Sequence, residues 1–408
     1  MNAPITKRPN LKAYAAFTLV LLIASVVAAA ATRLWVLTAI PIGFLFGFFL
    51  QKGDLCGSSA FSEVLLFKSG RKVFGLWILV VVAMAGFAAL DLLHVVTLAP
   101  KPFLYLNYIV GGLFFGTGMV LAGGCISGCL YKSTMGNLNS IVALLTIPMG
   151  VMVVEHGPLN SFFTTMSKAK LSMADSKAIA LDRVLGIPFW VAAAIAVAAT
   201  LIGIFYFKKR KPQATIRESG SLTFEGALTR SWSPWVAGLA IGLLMIPAYL
   251  SSVASGRNYP LGITHGVMQA ELLLIDRNLD HAYGQTVAPA PQSSSGQATP
   301  PAPPVNKGKK VVWWLVALVV GLVAGSFVSA KISGQTKLLP KPPDEMLFAM
   351  LGGLLVGIGA AFAGGCIVGN IMSGWALLSV GMFLFGIVTI LSNWAMTKIY
   401  LIGINNNK

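Results

Sequence analysis

The chain has 408 residues, 56% of them hydrophobic and 11% charged, with 30 Lys and Arg against 13 Asp and Glu and a formal charge of +17; its mean hydropathy is +0.77. A soluble domain carries about 25% charged residues, so these polar groups cannot cover a water-facing surface, and the composition points to an all-α polytopic membrane protein. The positive charge does not indicate nucleic acid, because the basic residues sit at the ends of apolar runs, at 7–12, 68–72, 208–211 and 307–310, as anchors on an anionic lipid bilayer do.

Spanning a bilayer takes about 20 apolar residues. Runs near that length predict nine transmembrane helices, over 13–32, 34–50, 73–90, 108–122, 186–207, 234–250, 311–330, 346–363 and 375–396. The first follows a basic tail, but its apolar run is longer than the ~7–15 residues of a signal peptide. Residues 1–33 are therefore read as an extra, uncleaved N-terminal helix. Three shorter apolar pieces, 56–67, 141–154 and 261–275, lie beside Gly or Pro breaks and predict re-entrant half-helices. Such backbone survives at membrane depth only when buried in protein or lining a wet path.

Residues 34–207 read as a first transmembrane repeat, within which 155–183 carry mixed charges and predict an extramembrane loop. Residues 208–233 form a basic loop expected in the cytoplasm. A second repeat covers 234–400, interrupted at 285–310 by QTVAPAPQSSSGQATPPAPPVNKGKK, a composition unable to bury a core and read as a disordered linker.

The repeat is explicit in one stretch. GGLFFGTGMVLAGGCISG at 111–128 and GGLLVGIGAAFAGGCIVG at 352–369 share 11 of 18 positions without a gap. Gly43-x3-Gly47 likewise matches Gly238-x3-Gly242, and extending that register sets Cys56 opposite Ser251. Two pseudo-symmetric copies are typical of transporters, whose sites lie at the repeat interface near the midplane. Sequence leaves open whether the copies are inverted.

LAGGCISGCLY at 121–131, AGGCIVG at 363–369 and QKGDLC at 51–56 together resemble the YeeE/YedE family of sulfur-compound transporters. The resemblance implies a bacterial inner-membrane protein that takes up thiosulfate through a central path lined by three cysteines, here Cys56, Cys125 and Cys366. It also implies a small TusA-like sulfur-carrier protein as partner. Two departures stand out. The stretch before Cys56 is Lys52-Gly53-Asp54-Leu55, with an acid where the family is basic, and Cys129 stands where a Thr or small residue is common.

These residue types suit anion passage. An unpaired charge is very costly to bury, and a fixed cation beside it would slow release. Half-helix N-termini offer partial positive charge through backbone N–H groups. The pairs Gly123-Gly124 and Gly364-Gly365 let the chain turn and expose those groups beside a thiol, a weak, soft donor. Cys129, His265 and Glu271 are candidates for supporting roles around the path. No cofactor, metal or catalytic residue is expected. The alternatives are a membrane thiol–disulfide enzyme using Cys125 and Cys129, and a transporter of another sulfur or selenium compound.

Overall fold

The computed structural model describes residues 11–32, 34–171, 178–210, 228–275, 279–282, 309–338 and 341–403. The first half contains α1 (Leu11–Thr32), α2 (Ala39–Gly53), α3 (Gly57–Leu66), α4 (Arg71–Leu92), α5 (Tyr105–Leu121), α6 (Ile126–Thr134), α7 (Leu138–Glu155), α8 (Asn160–Ser167), α9 (Leu181–Leu185) and α10 (Phe189–Arg210). The second half contains α11 (Pro234–Ala254), α12 (Thr264–Ile275), α13 (Trp313–Ile332), α14 (Pro343–Phe362), α15 (367–376, with a π-turn over Val368–Met372) and α16 (Val380–Met396). Strands β1 (Leu279–Ala282) and β2 (Lys309–Val312) pair in parallel on either side of 283–308, so most of the predicted linker lies outside the described residues. So does most of the basic loop.

Among the described residues, nine helical stretches are long and apolar enough to cross a membrane, and the chain is an all-α multi-pass membrane protein. Helix α1, 22 residues long, covers the expected N-terminal span 13–32. Two segments differ from the sequence reading. Segment 141–154, expected as a half-helix, belongs to the 18-residue α7: Asn137 caps its start through Ser140 N at 3.3 Å, and Pro148 is carried inside it. The expected span 375–396 is also broken, at Leu377–Ser379, so Trp375 belongs to the end of α15 rather than the start of α16.

Helices α3, α6, α12 and α15 are half-helices, about 13–18 Å long at 1.5 Å per residue. Two of them, α3 and α12, match expected short segments. The other two continue from the Gly-Gly-Cys turns.

The repeats are inverted. Helix α2 runs against its counterpart α11: Gly53 at the end of α2 touches Ala237 near the start of α11, whereas Thr38, just before α2, hydrogen-bonds Ser251 near the end of α11. Helix α5 runs against α14, with Gly111 facing Ala363 and Gly118 facing Gly352. Helix α4 lies parallel to α11, and α13 parallel to α2, which opposes α4 to α13. The reason is parity. Five crossings (α2, α4, α5–α6, α7 and α10) separate the starts of the two copies, and an odd number reverses the second.

The copies also interlock, since α2 packs on α13, α11 on α4, and α5 on α14. Small residues allow that approach: a Cβ on Gly47 would lie 2.1 Å from the Leu322 carbonyl oxygen, and one on Gly238 2.1 Å from that of Gly75. The molecule thus has two ends. The Lys52 end gathers the C-termini of α2 and α13 with the N-termini of α4, α11 and α14. The Lys101 end carries the α4–α5 loop, the stretch before α12 and the C-terminus of α15.

Candidate transport pathway

The two Gly-Gly-Cys turns adopt one geometry. Gly123 and Gly364, the first glycine of each, have φ of 68° and 61°, the left-handed region that glycine enters without a Cβ penalty. Each turn ends a long helix and releases a half-helix headed by a cysteine: Cys125 before α6, and Cys366 before α15. Cys56 heads α3 in the same way. The first N–H groups of any helix lack intrahelical partners, so each thiol sits beside backbone donors.

All four cysteines are free and buried. Cys56 and Cys125 lie with their Sγ atoms 3.9 Å apart, and Ser127 Oγ is 3.3 Å from Cys125 Sγ. Gly128 makes this possible, because a Cβ there would sit 2.4 Å from Cys56 Sγ. Cys366 begins the facing half-helix, whose Ile367 side chain abuts Gly57 at the head of α3. Three cysteine-headed half-helices thus converge on one buried region.

The fourth half-helix differs. Ser251 does not correspond to Cys56: it lies inside α11, where it accepts a hydrogen bond from Trp314 Nε1 at 2.8 Å. The residue equivalent to Cys56 is Ile263, since the amides of Ala60 and Val267 bond back to Cys56 and Ile263 respectively. A two-glycine register could not find the longer loop before α12. The next residue, Thr264, is buried, and its hydroxyl has no hydrogen-bond partner.

Supporting side chains occupy matched positions. Asn370 stands four residues after Cys366, as Cys129 stands four after Cys125. Asn370 Nδ2 donates to the carbonyls of Ala363 (3.2 Å) and Gly365 (2.9 Å). Cys129 Sγ approaches those of Ala122 (4.0 Å) and Gly124 (3.6 Å). Cys129 therefore braces its turn weakly, and the thiol in contact with Cys125 is Cys56 rather than Cys129. Of the other candidates, His265 Nε2 lies 3.8 Å from Glu155 Oε1 at the Lys101 end, and the side chain of Glu271 is outside the described residues.

Sequence reasoning missed the lysines. Lys132 Nζ donates to the Gly123 carbonyl at 2.6 Å, and Lys101 Nζ to that of Gly364 at 2.6 Å and to Asn370 Oδ1 at 2.8 Å. Lys101 also lies 5.2 Å above the Tyr259 ring, and the Arg257 guanidinium 5.4 Å from it. Tyr259 in turn donates to the Gly369 carbonyl at 2.6 Å. Burial, with the neighbouring Arg257, pushes the Lys101 ammonium down to about 7. Both turns thus place a cation on the carbonyl of their first glycine, outward of the thiols.

Inverted repeats whose half-helices meet within the molecule, under cations at both ends, define a transport protein built to pass an anion. The family described as "Sulphur transport" matches residues 52–395, and the chain belongs to this family of transporters, not enzymes. It is similar to the thiosulfate transporter TsuA of Spirochaeta thermophila, 31% identical over 372 residues covering 89% of this chain and 98% of that protein. It is also similar to the thiosulfate transporter TsuA of Escherichia coli, 28% identical over 82% of this chain and 86% of the other. The probable transporter YedE of Escherichia coli matches over 25% of each chain at 31% identity.

Proposed function

We propose that the chain carries thiosulfate across the bacterial inner membrane into the cytoplasm. The observation that carries this reading is the convergence of three half-helix N-termini, each headed by a buried cysteine, at the heart of an inverted repeat. Cys56, Cys125 and Cys366 offer the dehydrating anion S–H contacts, and the adjoining Gly123-Gly124 and Gly364-Gly365 turns expose backbone donors. Lys101 and Arg257 gather it at one mouth. Relatives named as thiosulfate transporters support that choice among sulfur anions.

Direction is assigned from charge. The Lys52 end bears Lys52, Lys68, Arg71, Lys331, Lys337 and Lys398 at helix termini, and the positive-inside rule assigns such an end to the cytoplasm. There a small TusA-like sulfur carrier would receive the product.

The test is uptake of labelled thiosulfate, against sulfate and selenate, in cells lacking their own importers. Thiosulfate should accumulate selectively. Cys125→Ala and Cys366→Ala should each abolish most uptake at normal membrane levels, with Cys56→Ala close behind and Cys129→Ala least affected. Full activity in the Cys125→Ala/Cys366→Ala double variant would refute the thiol-contact mechanism.

A further inference from the structure

The two mouths are built from the same repeat and carry matched turn lysines, but they differ in the carboxylate set beside them. Among the described residues, Lys101 and Arg257 contact carbonyls, Asn370, Ser252 and aromatic rings, and neither has a carboxylate within ion-pair distance. At the Lys52 end Lys132, the counterpart of Lys101, likewise rests on a turn carbonyl, but two neighbouring donors, Lys72 and Tyr131, are held by a carboxylate. Asp54 Oδ2 lies 2.5 Å from Lys72 Nζ, and Asp54 Oδ1 accepts the Tyr131 hydroxyl at 2.6 Å. Lys72 is also held by Glu63 Oε1 at 2.6 Å and donates to Ser59 Oγ at 3.2 Å.

This carboxylate is placed by the chain at the exit from the thiols. It caps α2 in the left-handed conformation, φ 44°, two residues before Cys56, and its carbonyl accepts the Cys56 amide at 3.1 Å. Tyr131, whose ring is buried, comes six residues after Cys125 on α6. On the Lys52 side of the Cys56–Cys125 pair, Tyr131 and Lys72 are both held by the Asp54 carboxylate. Lys72 is largely buried, at 12% side-chain exposure, whereas Asp54 is 58% exposed, so the carboxylate is the partner free to swing away.

We propose that Tyr131 and Lys72 form a release site for the transported oxyanion and that Asp54 competes for it, keeping the cytoplasmic mouth weak while the Lys101 mouth stays open to capture. This rests on the thiosulfate reading. An internal ligand that fills a site about nine-tenths of the time weakens an external one about ten-fold. Uptake is thereby favoured over rebinding from inside.

The experiment uses right-side-out membrane vesicles of the full chain, preloaded with potassium thiosulfate or, as the ion control, potassium sulfate. Asp54→Asn keeps the shape and an acceptor for Tyr131 but removes the charge. Internal thiosulfate should then inhibit labelled thiosulfate entry at an about ten-fold lower concentration than in the wild type. Lys72→Gln should shift that inhibition the opposite way, which keeps the test alive should Asp54→Asn fail to accumulate. A purely structural network would lower entry in both variants and leave the sensitivity to internal thiosulfate unchanged, overturning the release site while the transport reading stands. Wild-type vesicles that import no thiosulfate would overturn the transport reading as well.

Discussion

Lys101 joins the functional geometry to solution conditions. Its ammonium is pushed down to about 7 by burial and by Arg257, while its hydrogen bonds hold the Gly364 turn in place. Below that pH it is charged and attracts the anion; above it the charge is lost. External thiosulfate should therefore bind more weakly as pH rises from about 6 to about 8, by up to roughly ten-fold, read as a rising KM for uptake. Lys101→Arg should flatten the profile, because guanidinium stays protonated throughout this range. An unchanged pH dependence in that variant would remove Lys101 from anion capture. Cys125, Cys366 and their glycines were legible in sequence because the repeat duplicated them side by side, whereas Cys56, unpaired in the repeat, was found through the family resemblance. Lys101 was not, since it reaches the Gly364 turn from a loop 263 residues away and has no local pattern. Asn370 was within reach: aligning the copies puts it opposite Cys129, but an amide and a thiol do not look alike until both are seen touching turn carbonyls.

At the level of elements, the helix contacts depend on absent side chains. Gly43 and Gly47 of α2 face the carbonyls of Leu318 and Leu322 at 2.2 and 2.1 Å from a Cβ position, and Gly325 of α13 faces that of Phe44 at 1.9 Å. A side chain at any of these meets backbone, which cannot rotate aside. Gly325→Leu should destabilise the protein by about 1–3 kcal/mol or more, seen as a lower unfolding temperature in detergent. Gly203 of α10, with open space around it, should accept Leu with little change. Equal loss at the two positions would contradict this packing. The apolar spans were readable from hydropathy alone, whereas of the breaks only those marked by Gly or Pro were. Leu377–Ser379 interrupts a continuous apolar run, and 141–154 lies within a helix despite Pro148, because hydropathy records burial in lipid or protein and is blind to where the backbone turns.

For the whole molecule, inversion fixes which surfaces share a compartment. Leu338, 72% exposed, lies at the Lys52 end, and Leu93, 71% exposed, lies at the other. In a background without native thiols, Leu93→Cys should react with an impermeant maleimide in intact cells, and Leu338→Cys only after permeabilisation. The reverse pattern would invert the proposed direction of transport. Sequence supplied the duplication but not its handedness. That depended on α7 being a full crossing, which changes the parity of everything after it.

The interlocking of the copies also has a consequence in time. Helix α2 leaves the ribosome with its glycine seam facing lipid, and the partner it needs, α13, is made about 275 residues later, on the order of 15–50 s at ~5–20 residues per second. The first half therefore waits in the bilayer as an incomplete structure, its close-packing surfaces covered by acyl chains or by a holding factor. Damage to α13 would reach backwards, leaving α2 stranded long after it was correctly inserted.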